Sequence, residues 1–265
     1  MHAWAAYCAF RATSHVTGAP ITVKMSAPTR RVRSALPRPS FLAATMTVFG
    51  KDLRIELRTR EIVMTTGFFG VLVALMASLA FTTGSNLTLR IAPGTIWLSI
   101  AFSSVLALGR SWQREREEGA FTGLLVSPVP RPAIFLGKML GIWCFVTVVE
   151  LVVVPVVALV LHVDLWKFGP SLALVLVIGT IGVAATGTLF GAMTVRTRAR
   201  DLVLATVLFP LLSPALLSGV VATRELLGGA SFDEISDYLV LLGTFDAVAL
   251  AGGLGLFGSL VDEGG

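Results

Sequence analysis

The chain predicts an all-α, polytopic membrane protein with six transmembrane helices, and three observations carry that prediction. Hydrophobic residues make up 55% of its 265 residues and charged residues 14%, with a mean hydropathy of +0.83, far from the mixture of a soluble domain. Six apolar stretches approach or exceed the ~20 residues that cross a hydrocarbon core of about 30 Å. They are continuous runs without the period-two alternation of barrel strands, which argues against a β-barrel.

Residues 1 to 45 mix Ala, Thr, Ser and Pro with Arg30, Arg31, Arg33 and Arg38 and hold no run of spanning length. They are expected to form a disordered basic leader. A signal peptide fits poorly, because MHAWAAYCAF lacks a basic start and no cleavage pattern follows. The alternative is that translation begins at Met25 or Met46 and not at Met1.

Residues 46 to 265 are expected to form the membrane domain. It opens with an amphipathic stretch, Phe49 to Glu61, in which Phe49, Leu53 and Leu57 recur every four residues. Lys51, Asp52, Arg54, Glu56, Arg58 and Arg60 fill the remaining arc, and Glu56 and Arg60 are spaced to pair. Such a helix lies in the headgroup region; the plainer reading is a basic flank that anchors topology. Spans are then expected at residues 62–82, 92–109, 139–161, 170–193, 202–222 and 239–260.

Orientation follows from Lys and Arg. One side holds ten in residues 1 to 61, five in 110 to 138 and three in 194 to 201, against Arg90, Lys167 and Arg224 on the other. Eighteen against three puts both termini in the cytoplasm, and leaving out residues 1 to 45 still gives twelve against three. The net charge of +5 and pI near 9.8 therefore report topology and not a nucleic-acid face. Cys8 and Cys144, the latter inside a span, support neither a disulfide framework nor a zinc site.

Between the second and third spans, Arg110 to Lys138 is the only strongly charged stretch inside the apolar region. Arg114, Glu115, Arg116, Glu117 and Glu118 are followed by Gly119, then by an i, i+3, i+4 stripe of Phe121, Leu124 and Leu125. Pro128, Pro130 and Pro132 end it. The pattern predicts a short cytoplasmic helix across the membrane surface, suited to meeting a soluble motor; an ordinary solvated loop is the plainer alternative.

The chain carries no phosphate loop of its own, since Gly50-Lys51 and Gly137-Lys138 are followed by Asp and Met and lack the upstream glycine. An intramembrane hydrolase would need a Ser/His pair, an HExxH motif or paired aspartates at matched depth, and none is present. Glu150 in the third span and Asp246 in the sixth are the intramembrane acids. They either line a path or hold helices together by hydrogen bonds. Gly187 and Gly191 have GxxxG spacing and are expected to seat a neighbouring helix of the same chain, with a homodimer as the alternative. Pro155, Pro210 and Pro214 predict kinks or breaks.

Several segments taken together resemble the CcmB-type family, the heme exporter B permease subunit of the cytochrome c maturation ABC complex. They are LRIELRTRE (Leu53 to Glu61), RIAPGTIWLSIAFSSVLALGR (Arg90 to Arg110), REREEG (Arg114 to Gly119), GLLVSPVPRPAIFLGK (Gly123 to Lys138) and LFPLLSPALL (Leu208 to Leu217). The resemblance covers residues 46 to 260 in order. It implies an ABC-2-like permease in a bacterial inner membrane, coupled to a separate CcmA-like ATPase and to CcmC-like and CcmD-like heme-handling subunits.

The REREEG…LL…SPV pattern also resembles the cytoplasmic coupling helix of the wider ABC-2 exporter group, in which the helix after the second span docks on the ATPase; this implies contact roles for Arg114, Glu115, Glu117, Glu118, Gly119, Leu124, Leu125 and Pro128. ATP is then handled by the partner, and heme, or release of a heme-loaded chaperone, is the cargo step. The WWD-type tryptophan-rich heme motif is absent, and of the histidines only His162 follows a span as a heme contact candidate, so no directly bound cofactor is expected. The competing function is a membrane scaffold that gathers heme-handling subunits without transport.

Overall fold

Helix breakers, more than charge, decide where the helices of this protein end. The computed structural model describes residues 39–80, 85–194 and 200–262, all within the unit Arg38–Gly265. The greater part of the expected leader lies outside the described residues.

Helix α1 spans Phe41–Thr59, starting before the expected boundary at Met46, with the Ser40 hydroxyl accepting the Ala43 N–H at 3.4 Å. Arg60, in the left-handed region at φ 54°, ends α1 and turns the chain into α2, Glu61–Ala80. There follow α3 (Ser85–Glu117), the short α4 (Ala120–Val126), α5 (Arg131–Leu161), a 3-10 turn (Leu165–Phe168), α6 (Gly169–Thr194), α7 (Arg200–Leu227) and α8 (Phe232–Asp262).

Helices α2, α3, α5, α6, α7 and α8 are long and apolar enough to cross a membrane, which agrees with the six expected spans in number and order. The protein is a multi-pass helical membrane protein. Their ends differ from expectation where charge was taken as a boundary. The second span was expected to stop at Gly109, but α3 continues through Glu117; the third was expected to begin at Met139, but α5 begins at Arg131. Arg, Glu, Gln and Lys are good helix formers, so SWQRERE prolongs α3 instead of ending it. At 33 residues α3 is ~50 Å long, which carries its last turns beyond a ~30 Å apolar core.

Helices α3 and α6 are the centre of the bundle, each with 67% of its most apolar window buried, against 17% for α8 at the edge. Trp97 of α3 fixes this centre. Its Nε1 donates to Thr223 Oγ1 of α7 at 2.9 Å, and its ring fills the notches at Gly179 and Gly219. Further along α6, Gly187 receives Leu108 and Gly191 receives Trp112. The GxxxG pair of α6 thus seats α3 of the same chain. Helices α5 and α7 run on through Pro155, Pro210 and Pro214 without a break, each proline leaving one carbonyl without its intrahelical donor.

Candidate functional site: the charged end of the bundle

The overhanging turns of α3 meet α1, α4 and the start of α5 at one end of the bundle. Gly119 makes this geometry possible. It adopts φ 61°, a conformation that glycine takes without steric penalty, and it separates α3 from α4. The short helix expected here, with charge on one side and an apolar foot, is divided at the break that Gly119 marks: its charged part ends α3, its apolar part is α4, and a left-handed elbow joins them. Helix α4 closes at Ser127, whose hydroxyl donates to the Leu124 carbonyl at 2.6 Å. Arg131 Nη1 donates to the Leu125 carbonyl at 2.7 Å, tying the end of α4 to the start of α5.

A buried charge cluster lies behind the elbow. Lys138, 1% exposed, pairs with Asp52 of α1 at 2.8 Å and with Glu115 of α3. Lys51 reaches Glu115 Oε1 at 2.5 Å and Asp52 Oδ1 at 3.1 Å. Burial works against the Lys51 charge, but attraction from Asp52 and hydrogen bonding to Glu115 outweigh it and hold its pKa above the usual lysine value. Arg114 pairs with Glu56 at 3.3 Å and Glu61 at 3.2 Å. Glu56 Oε1 also accepts the Val63 N–H at 2.9 Å, capping the first turn of α2. The pairing of Glu56 with Arg60 that the spacing allowed is replaced by these contacts, because Arg60 leaves the helix to make the turn.

Close approach of α1 to α5 buries Asp52 and Lys138 at the heart of the cluster. A Cβ at Gly137 would stand 2.6 Å from Val48 Cβ and 2.8 Å from the Thr45 carbonyl, so only glycine fits there. The buried face of α1 is Ala44, Thr45, Val48, Asp52 and Glu56. The expected apolar stripe lies beside that face and not on it, with Leu57 68% exposed. Arg54 and Arg58 are exposed as well. Helix α1 thus turns Val48 and two acids toward the bundle and leaves Leu57, Arg54 and Arg58 outside.

The elbow is keyed to the cluster through aromatic rings. Phe121 of α4, 4% exposed, packs edge-on against Trp112 with centroids 5.4 Å apart, and Lys138 Nζ stands 5.8 Å from the Trp112 ring centroid.

The residues singled out in the sequence separate into two groups. Arg114 and Glu115 turn inward and are taken up by the cluster. Glu117, Glu118, Gly119 and Pro128 are exposed, while Leu124 and Leu125 are partly buried against the core. Val126, 84% exposed, joins the exposed group. Lys51, Asp52 and Lys138 complete the cluster and were not singled out as functional. The available signal was Lys138 itself, a lysine between AIFLG and MLGIW with no charge within six residues on either side.

Away from this end, Glu150 is 4% exposed and lines a cavity of about 250 Å³ between α5 and α6. Asp246, 7% exposed, packs against Gly182 of α6. His162 is exposed and caps α5 at φ 53°, its backbone N–H donating to the Ala158 carbonyl. Among the described residues no three His, Cys, Asp or Glu side chains converge as a metal site.

Six helices of spanning length, a short interrupting helix after the second of them and a cluster of ion pairs at one end define a multi-pass helical membrane protein. The family model described as CcmB protein matches residues 43–257, and the chain belongs to that family. Heme exporter protein B of Bradyrhizobium diazoefficiens is 29% identical over 191 residues, covering 71% of this chain and 84% of that protein. The protein of the same name from Pseudomonas aeruginosa is 29% identical over 193 residues, 73% of this chain and 84% of its own length. That from Paracoccus denitrificans is 29% identical over 202 residues, 76% and 90% respectively.

Proposed function

We propose that this chain is the permease subunit of an ABC complex that exports heme, or releases a heme-loaded chaperone, for cytochrome c maturation. Family membership and the names of its relatives support the cargo. The observation that carries the mechanism is the elbow, which exposes Glu117, Glu118, Val126 and Pro128 beyond the apolar bundle while its base is fixed by buried ion pairs. A separate CcmA-like ATPase docks on that exposed tip. Glu117 and Glu118 set its register, Val126 and the partly buried Leu124 and Leu125 supply the apolar contact, and Arg114 and Glu115 act from behind as positioning residues.

The charged end faces the cytoplasm of a bacterial inner membrane, in line with the distribution of Lys and Arg. CcmC-like and CcmD-like subunits are its membrane partners. Heme is its cargo, a reading supported by the names of its relatives.

The test is double charge reversal, Glu117→Lys with Glu118→Lys, on the exposed tip where folding is not at stake. Co-purification of the ATPase from native membranes is expected to be lost while membrane insertion is kept. An ATPase complex of unchanged yield sinks the docking assignment and leaves the scaffold reading.

A further inference from the structure

Midway along α5 the bundle holds a carboxyl group that the charged end does not use. The Oε1 of Glu150 is buried without a hydrogen-bond partner, and the side chain belongs to the wall of the cavity between α5 and α6. Apart from Glu150 and Thr147 this wall is apolar, from Leu151, Val154 and Pro155 on one side to Leu172 and Leu176 on the other. Space remains because the filling side chains are small. Ala158 and Ala173 contribute only methyl groups, and the position beside Gly169 is open. The cavity is a groove that opens sideways, since Leu151 is 76% exposed and Ala173 is exposed.

The polar groups of this wall all offer lone pairs. The Thr147 hydroxyl donates its hydrogen to the Trp143 carbonyl at 2.9 Å, which leaves its oxygen as an acceptor. Pro155 has no N–H for the carbonyl of Leu151 four residues earlier. Glu150 adds a carboxyl that is costly as an anion in this environment unless a cation faces it, and no Lys or Arg lines the groove. The complement of such a wall is a positively charged group rich in N–H donors, attached to an apolar body.

We propose that the groove binds a small lipophilic amine, with its ammonium group against Glu150, Thr147 Oγ1 and the Leu151 carbonyl and its apolar body between α5 and α6. A volume of about 250 Å³ equals roughly eight liquid-water volumes and falls below the ~300 Å³ at which pockets for drug-sized ligands begin. A chain of about eight carbons fits and a porphyrin does not. The inference is independent of the heme-export reading.

The test uses the full chain in nanodiscs with tritiated octylamine, empty nanodiscs supplying the partition background. Saturable binding of one amine per chain is expected, displaced by unlabelled octylamine and not by octanol. Glu150→Gln weakens it at least tenfold, and Thr147→Val weakens it several-fold. Ala173→Phe fills the groove from its exposed rim and removes the saturable component, which keeps the test available if Glu150→Gln fails to fold. Asp246→Asn, an intramembrane acid outside the groove, leaves binding unchanged. Non-saturable partition alone, equal displacement by octanol, or wild-type binding by both Glu150→Gln and Ala173→Phe overturns the proposal. ATPase association enters none of these readouts, so failure here and failure of the docking assignment are distinguishable.

Discussion

Two sets of buried ionisable groups divide this molecule. At the charged end Asp52, Glu56, Glu115 and Lys138 are all buried, and each faces a partner of opposite sign. In the middle of the bundle Glu150 and Asp246 are buried as well, and each keeps one carboxyl oxygen without a hydrogen-bond partner, as Glu115 does with its Oε2; unlike Glu115, neither faces a Lys or Arg among the described residues. The difference separates two uses of buried charge. A paired group fixes the register of the helices that carry it, and here it locks α1, α3 and α5 together. An acid that no cation answers is tied to its neighbours only by hydrogen bonding, Glu150 to Thr180 and Asp246 to the Gly182 backbone, and it retains the capacity to meet a cationic ligand.

The largest effect that would break this contrast is expected at Lys138. Lys138→Met keeps the length of the side chain but leaves Asp52 and Glu115 buried with only the half-exposed Lys51 between them. Removing one partner of a buried pair costs about 3–5 kcal/mol. Thermal unfolding in detergent should show that loss, and adding Asp52→Asn with Glu115→Gln should recover much of it, since the stranded charges are then gone. A loss below about 1 kcal/mol would mean that the cluster is not an architectural lock.

Gly137→Val tests the same lock through sterics. The new side chain meets Val48 and the Thr45 carbonyl, and since backbone cannot yield as a flexible side chain does, α1 must move off α5. Overpacking of this kind costs about 1–3 kcal/mol. Hydrogen exchange should rise along residues 44–56 and stay unchanged in α6 and α8. Uniform exchange across the chain would show that α1 does not depend on this notch.

The sequence made the six spans legible because a continuous apolar run of membrane length cannot be buried in a small soluble core and is stable only across a bilayer, and Gly119 with the prolines after it marked the interruption. It misplaced helix ends at Gly109 and Met139, where charge was taken as a stop although Arg, Glu and Lys are compatible with helix. The charged end was half legible. Exposed Glu117 and Glu118 follow from local pattern, whereas the inward turn of Glu115 depends on Lys138, 23 positions away, and on a glycine notch that spacing does not reveal. Helix α1 shows the same limit: its apolar stripe was visible, but which stripe is buried was decided by the acids that answer Lys138 and Arg114.

The smallest expected effect on stability is at Glu150, and it sharpens the contrast most. Glu150→Gln preserves shape and breaks no ion pair, so the change in unfolding free energy should stay within about 1 kcal/mol, measured as for Lys138→Met. A loss comparable to that of Lys138→Met would reveal a partner that makes Glu150 architectural too, and the two sets of charges would merge into one. Retained stability together with weakened amine binding would have the opposite meaning. It would identify an acid whose burial contributes nothing to holding helices together and is accounted for by what enters the groove beside it.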